Sequence, residues 1–415
     1  MPATTSDKLA IENGTPVRDT RERPWPGWPA VSDAEWREKV EPALRRVYES
    51  GAEGLGGREQ DEFARRFAAT CGVPHCCLVS HGTDALSTAL AAAMDLDGSG
   101  DGGEVIVPNY TFIASASATL DMQCGVVLTD IDPRTFTLCP DAVERAIRPD
   151  RTRAIMAVHI AGHPCDMIAI NAIAEQHGLV VVEDCAQAHG ARHDGLPVGG
   201  LGDAAGFSFQ SSKNLCSGEG GCVTTTDTAI HNRAVGLMNS GRLPHGERWR
   251  YARIGWNYRP SEYVAALLNA RLDDLEPQSV QREGMAEHLS RQLEAIPGVT
   301  PPVLRPWCTR HAFHLYCILI DEASFGGRSR DDIVEAVLAE GVPAMAGYTD
   351  LLSNQPGMKQ FGTDHPHAVR VEPCPVTEEI CRRSIWIAHQ ILLAEREDMD
   401  DIATAFAKVQ RAFAG

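Results

Sequence analysis

GFSFQSSKNLCSGEGGCVTTTD, residues 206–227, decides how this chain is read. GFSF reads as a short buried strand, GCVTTT as a second, and SGEGG as the turn that joins them. Lys213 therefore stands at a rigid strand-to-loop junction among small and apolar residues. Burial disfavours the ammonium form, so an amine held there loses its proton more readily than one in water. The neutral amine is the form that attacks a carbonyl. An ordinary solvated lysine is the bland reading of any one lysine in a chain with 38 Lys and Arg, so the weight rests on the company Lys213 keeps.

Upstream, strands and helices alternate. CCLVS is followed by a helical DALSTALAAAM, EVIVP by ASASATL, VVLTDI by PDAVERAI, AIMAVHI by DMIAINAIAEQHG, and then comes LVVVED. Alternation on this scale predicts an α/β layer on a mostly parallel sheet, with ligands bound beyond the carboxyl ends of the strands. EWREKVEPALRRVYES predicts a helix ending near Gly51, and QDEFARRFAATCG a second. SEYVAALLNARLDDLEPQSVQREGMAEHLSRQLEAI predicts a long helical stretch broken near Pro277. Beyond it, strands at HAFHLYCILI and SIWIA and helices at RDDIVEAVLAEG and REDMDDIATAFAKVQRAF predict a smaller α+β unit. The expected organisation is an N-terminal segment over 1–40, a large domain over 41–274 and a small C-terminal domain over 275–415.

The 415 residues carry a net charge of −18, which argues against nucleic acid or an anionic membrane as the main partner. MPATTSDKLAIENGTPVRDT has no apolar core of a signal peptide, and no apolar run approaches the ~20 residues of a membrane span. The expectation is a cytoplasmic protein. Thirteen cysteines, an odd number without C-x-x-C spacing, read as reduced, packed thiols.

Four further segments supply what a phosphorylated, carbonyl-bearing ring would need. In SHGTDAL a strand ends and a helix starts at Gly82 and Thr83, a backbone seat for phosphate; the bland alternative is a simple cap. In VVVEDCAQAHGA, Asp184 ends a buried strand and needs a cation to justify its desolvation, and a protonated pyridine nitrogen is one. Gln187 lies three residues on, in reach of a ring hydroxyl. Phe112 in NYTFIASASA suits the face of a flat ring, although an aromatic there is more often core. Ser208 and Asn257, the latter in GWNYRPSEYVAAL, suit phosphate, and each also reads as a turn or cap residue. His159 and His163 in HIAGH do not share a helical face, and no metal site is expected. The glycine-rich GSGDGGE precedes a strand and reads as a turn.

Taken in order, HGTDAL, NYTFIASA, EDCAQAHGA, SFQSSKNLCSGEGG and NYRPSEYVAAL resemble the DegT/DnrJ/EryC1/StrS family of pyridoxal phosphate (PLP) enzymes. These are sugar aminotransferases of fold type I, and the resemblance runs from about Trp25 to the C-terminus. It implies Lys213 as the Schiff-base lysine, Asp184 as partner of the pyridine nitrogen, Phe112 as the stacking aromatic and Gln187 as neighbour of the ring hydroxyl. It implies Gly82, Thr83 and Ser208 as phosphate ligands, and Asn257 as a phosphate contact supplied by the other subunit of a homodimer. RPWPGWP, SFGGRSRDDIVEAVL and RSIWIAHQILLAEREDMDDIA resemble the branch containing L-glutamine:scyllo-inosose aminotransferases and 3-amino-5-hydroxybenzoate synthases, which act on six-membered carbocyclic ketones. His389, in that last segment, and Tyr348 are the residues expected to face substrate, with a buried structural histidine as the alternative for His389. YESGAEGLGG lacks the aromatic that many relatives carry before the GG pair. Gln187 in place of the histidine common in the hydroxybenzoate synthases favours plain transamination, and lysine at 213 disfavours the family's dehydratases. The expectation is amino transfer from an amino acid, L-glutamine, to a cyclitol-like or sugar ketone. An aromatising synthase and a non-catalytic PLP-binding regulator are the competing readings.

Overall fold

Continuous apolar runs such as VIV, IMAV and VVV are buried on both faces, as strands sandwiched between helices must be. In a computed structural model, which describes residues 8–96, 102–242 and 249–415, they form the middle of an eight-stranded sheet. GSGDGGE, expected as a turn, lies mostly outside the described residues. The strands of this half are His75–Val79 (β1), Glu104–Pro108 (β2), Gly125–Thr129 (β3), Thr152–Val158 (β4) and Val180–Asp184 (β5). A small hairpin of Arg192–His193 (β6) and Leu196–Pro197 (β7) follows, then Ala204–Ser208 (β8) and Gly221–Thr225 (β9).

The sheet order is β1-β9-β8-β5-β4-β2-β3, closed at its far edge by Val369–Val371. β9 runs antiparallel to both β1 and β8, and every other pairing is parallel. The carboxyl ends of β1, β5 and β8 therefore reach the same edge, and β9 starts beside them, with Ser208 opposite Gly221. The helix after β1, Gly82–Ala93, is buried from Ala85 to Ala92 because ALSTALAA offers small and apolar residues all round.

The small unit is an antiparallel sheet of Val299–Thr300 (β10), Leu315–Ile320 (β12), Ser384–Ala388 (β15) and Ala344–Ala346 (β13), in that spatial order. Cys308–Arg310 (β11) instead pairs with β6. Helices Leu275–Leu293 and Arg396–Ala414 cover the small sheet, and Leu289, Leu293, Ile318, Ile385, Ile402 and Phe406 meet in its core. The helical break expected near Pro277 falls earlier, at a 3₁₀ turn over Leu272–Asp274. Pro277 sits in the first turn of the following helix, where its missing N–H would have had no intrahelical partner. Two segments tie the halves together. Val369–Val371 (β14) returns to pair in parallel with β3, and the N-terminal segment packs on the small unit, with Leu9 in its core. All thirteen cysteines are free thiols, and only Cys139 is not fully buried.

Glu340 holds the N-terminal segment down. It is fully buried and accepts from the Ala10 N–H at 2.8 Å, the Val17 N–H at 3.0 Å and Lys408 Nζ at 2.8 Å. Removing the carboxylate leaves the Lys408 ammonium buried and unpaired, which costs more than the pair itself contributes. Glu340→Ala is expected to lower unfolding free energy by about 3–5 kcal/mol in a denaturant titration, while Glu340→Gln loses less.

Candidate active site

A cavity of about 900 Å³ opens at the carboxyl edge of the large sheet, and it gathers Gly82, Thr83, Phe112, Asp184, Gln187, Ser208, Lys213 and His389. Of the residues expected at the site, Asn257 and Tyr348 are not among its walls. Asn257 is exposed on the segment ahead of the Glu262–Arg271 helix, where it bridges to Asn239. Tyr348 lies behind the wall, edge-on to Tyr110 and Trp386 at 5.2 and 4.8 Å, with its hydroxyl on the side of Gln187.

The helix N-terminus at Gly82 is open. His81, its N-cap, makes no side-chain cap, because its ring turns to Asp84 Oδ2 at 3.0 Å, and the first amides of the helix face the cavity without a partner among the described residues. Ser208 stands against them so closely that a Cβ on residue 82 would lie 2.5 Å from the Ser208 Cβ. Only glycine fits there. Free amides, a helix dipole and a serine hydroxyl together suit a dianionic phosphate.

Asp184 ends β5 and is 5% exposed. It accepts from Ser115 Oγ at 2.7 Å and from the Ala186 N–H at 3.1 Å, and no cation ion-pairs with it among the described residues. Burial is the largest influence on this carboxyl and raises its pKa, against the two hydrogen bonds and the charge of Lys213. A carboxylate in that condition is matched to a cation that arrives with a ligand.

Gln187 Oε1 accepts from the Ala161 N–H at 2.6 Å. A peptide N–H can only donate, so the amide nitrogen of Gln187 is the group left to face Tyr348 and the cavity. It offers a donor to an acceptor in the cavity. Phe112, 60% exposed and without an aromatic partner among the described residues, stands at the mouth.

Lys213 lies in the 209–220 loop between β8 and β9. This loop is longer than a tight turn, and its return depends on the left-handed Gly218, φ 92°. The amine makes no hydrogen bond or ion pair among the described residues. Its pKa is lowered by desolvation, only partly offset by Asp184.

His389, expected to face substrate, touches the cavity but spends both ring nitrogens on protein: Nε2 on the Ser212 carbonyl at 3.0 Å and Nδ1 on Arg282 at 3.2 Å. His314 lines the same wall. Its Nδ1 faces Asn214 Oδ1 at 3.0 Å, whose amide nitrogen is committed to the Ala312 carbonyl at 2.8 Å, so the His314 proton sits on Nδ1 and Nε2 is a bare acceptor. Trp28, Ser115, His314 and Arg282 are the members that sequence reading passed over. Arg282 alone carried a signal, a charge on the buried stripe Leu275, Ser279, Arg282, Ala286, Leu289, Leu293.

His159, Glu183 and Cys185 come together beneath the sheet edge. The Cys165 N–H donates to His159 Nδ1 at 3.0 Å, His159 Nε2 lies 3.0 Å from Glu183 Oε2, and the Gly199, Leu201 and Gly202 N–H groups occupy the remaining carboxylate positions. His163 spends Nδ1 on the Pro164 carbonyl at 2.7 Å. These groups brace the strand ends and hold no free ligand set.

The fold and this cavity define a fold type I transferase. The DegT/DnrJ/EryC1/StrS aminotransferase family matches residues 35–407, and the chain belongs to it. L-glutamine:2-deoxy-scyllo-inosose aminotransferase of Streptoalloteichus tenebrarius is 38% identical, with 97% of each chain aligned. The enzyme of the same name from Streptomyces kanamyceticus is 36% identical, again over 97% of each. Among solved structures, 3-amino-5-hydroxybenzoic acid synthase superimposes with a TM-score of 0.83 at 33% identity, covering 94% of this chain and 99% of that one. E. coli GDP-4-keto-6-deoxy-D-mannose-3-dehydratase with bound hydrated PLP shares the fold at TM-score 0.79 and 20% identity, over 92% of this chain and all of that one (100%). No helix among the described residues is long and apolar enough to cross a membrane.

A lysine whose folded pKa is depressed is neutral over a pH range where ordinary lysines are charged, below the usual 10.5. Competitive labelling of the empty protein with an amine reagent is expected to give Lys213 a midpoint pH below that of the exposed lysines. Asp184 carries the opposite sign. Its raised pKa contributes stability that is present at low pH and lost as pH rises through that pKa. Asp184→Asn in the empty protein is therefore expected to melt higher than the parent at neutral pH, with the difference vanishing in acid.

Proposed function

We propose that this chain binds pyridoxal 5′-phosphate in the cavity and moves an amino group from an amino acid, L-glutamine, to the ketone of a cyclitol or related six-membered ring. The observation that carries the reading is the pairing of an unpartnered, readily deprotonated Lys213 with a buried Asp184 that lacks a cation. The names of the relatives support the donor and the acceptor class. In this reading the Gly82–Ala93 helix start and Ser208 hold the phosphate, Asp184 keeps the ring nitrogen protonated, Gln187 donates to the ring oxygen and Phe112 covers a ring face. The bound group supplies an electrophilic carbonyl and a cationic ring that draws electron density from the donor's α-carbon. With that group bound, Lys213 as a neutral amine would be placed to take the donor's α-proton and to hold it for return. Ser115 keeps Asp184 oriented from behind. The reading extends to a homodimer in a cytoplasmic setting, with Asn257, exposed and outside its own chain's cavity, reaching the phosphate of a second copy.

The likeness to 3-amino-5-hydroxybenzoic acid synthase favours one alternative, an aromatising loss of water from an aminated ring. An appearing aromatic chromophore with an amino-dehydroshikimate-like substrate distinguishes it. The main test is a half-reaction. Glutamine is expected to bleach the visible band of the PLP-loaded protein, and scyllo-inosose-type ketones to restore it. Lys213→Ala is expected to lose the band and turnover together. Turnover surviving in Lys213→Ala overturns the assignment, and an unchanged wild-type band favours a non-catalytic binder.

A further inference from the structure

Arg282 has no exposed surface and is the largest fully buried side chain among the described residues. Its Nη2 lies 3.2 Å from Gln278 Oε1 and 3.2 Å from His389 Nδ1, while Nε and Nη1 have no hydrogen-bond partner among the described residues. No carboxylate pairs with it among the described residues, and burial alone pulls its pKa down to about 9. A guanidinium in that state destabilises the fold relative to an apolar residue of the same size. Packing therefore does not account for it.

The bonds leading away from it have only one possible direction. The Ser212 carbonyl can only accept, so His389 Nε2 carries the ring proton and donates it at 3.0 Å. His389 Nδ1 is then a lone pair, and Arg282, which can only donate, fills it. Ser212 is the residue before Lys213. The carbonyl of Lys213 itself accepts from Trp28 Nε1 at 3.1 Å, and its N–H donates to the Gln210 carbonyl at 2.9 Å. Trp28 packs edge-on against His389 at 4.5 Å, with the Arg282 guanidinium 5.6 Å from its ring centroid. Every peptide group flanking the lysine is thus held, and two of the three anchors meet at Arg282.

We propose that Arg282 is a positioning residue for the transamination: by donating to His389 Nδ1 it fixes the histidine in its Nε2-protonated form, which with Trp28 locks the Ser212–Lys213 backbone and aims the amine. The proposal rests on Lys213 being the reacting amine. Displacement by ~1 Å at such a group costs on the order of 10²-fold in rate, so the clamp acts on turnover and leaves substrate affinity alone.

The test compares full-length wild type, Arg282→Met, His389→Leu and His389→Gln. Glutamine at 389 offers an amide nitrogen to Ser212 and an oxygen to Arg282, reproducing both bonds. In wild-type protein with ¹⁵N-labelled histidine, His389 is expected to show a protonated Nε2 and a bare Nδ1, and Arg282→Met to mix the two tautomers. Arg282→Met and His389→Leu are expected to lower kcat about 10- to 100-fold with KM for the amino donor within about twofold, while His389→Gln recovers most of the loss. Arg282→Met is expected to melt no lower than wild type; should it fail to fold, the two His389 variants carry the comparison. Wild-type kcat in Arg282→Met, or equal damage from leucine and glutamine at 389, overturns the proposal. If wild type does not react with glutamine, the aminotransferase reading fails separately. The clamp is then judged by the tautomer and by the labelling rate of Lys213 in empty protein, which Arg282→Met is expected to change and which, unchanged, overturns it.

Discussion

The Asp184 carboxylate lies out of water with a serine hydroxyl and one peptide N–H as its partners, and the nearby Lys213 amine stops short of an ion pair with it. Had the two closed into a salt bridge, each would have met the other's need, and neither would be disposed toward a ligand. Holding them apart requires the whole sheet edge: β5 delivers the acid, the β8–β9 loop delivers the base, and the buried Gly82–Ala93 helix closes the floor with its unclaimed amides. Burial also acts on three neighbouring histidines. Desolvation is the first cause depressing His189, His314 and His389, with neighbouring cations adding to it.

This dependence explains what was legible in the sequence. Lys213, Asp184, Gly82, Gln187 and Ser208 sit next to strand ends, and strand ends are marked locally by apolar runs that stop at polar or glycine residues. Their convergence follows once the strands are known to be parallel. Trp28, Ser115 and Arg282 carry no such mark, because their placement depends on which distant segments touch. Trp28 meets the Lys213 carbonyl across 185 residues, and Arg282 meets His389 across 107. The helical break was displaced from Pro277 for a local reason. A proline in the first turn of a helix starts it rather than stops it. His389 was singled out for the right region, yet its nitrogens face the protein because the carbonyl before Lys213 needs a donor.

The small unit does more than cover one side. Through Glu340 and Arg18 it anchors the N-terminal segment, since Arg18 bonds Asp398 and Asp401 and stacks on Trp25 at 3.9 Å. A few residues later that segment delivers Trp28 to the lysine. The cavity wall is in this sense assembled from the beginning, middle and end of the chain.

That arrangement has a consequence for biogenesis. Thr15 accepts from Lys408 across 393 residues, and Arg18 meets Asp398 across 380. A chain emerging N-terminus first carries its opening segment without those partners until the final helix has left the ribosome. Strands β1–β9 of the large sheet can pair during synthesis, whereas the addition of β14 and the seating of Trp28 over the lysine loop are late steps of high contact order. Newly made protein thus passes through a stage with β1–β9 formed and the Lys213 loop not yet covered by Trp28.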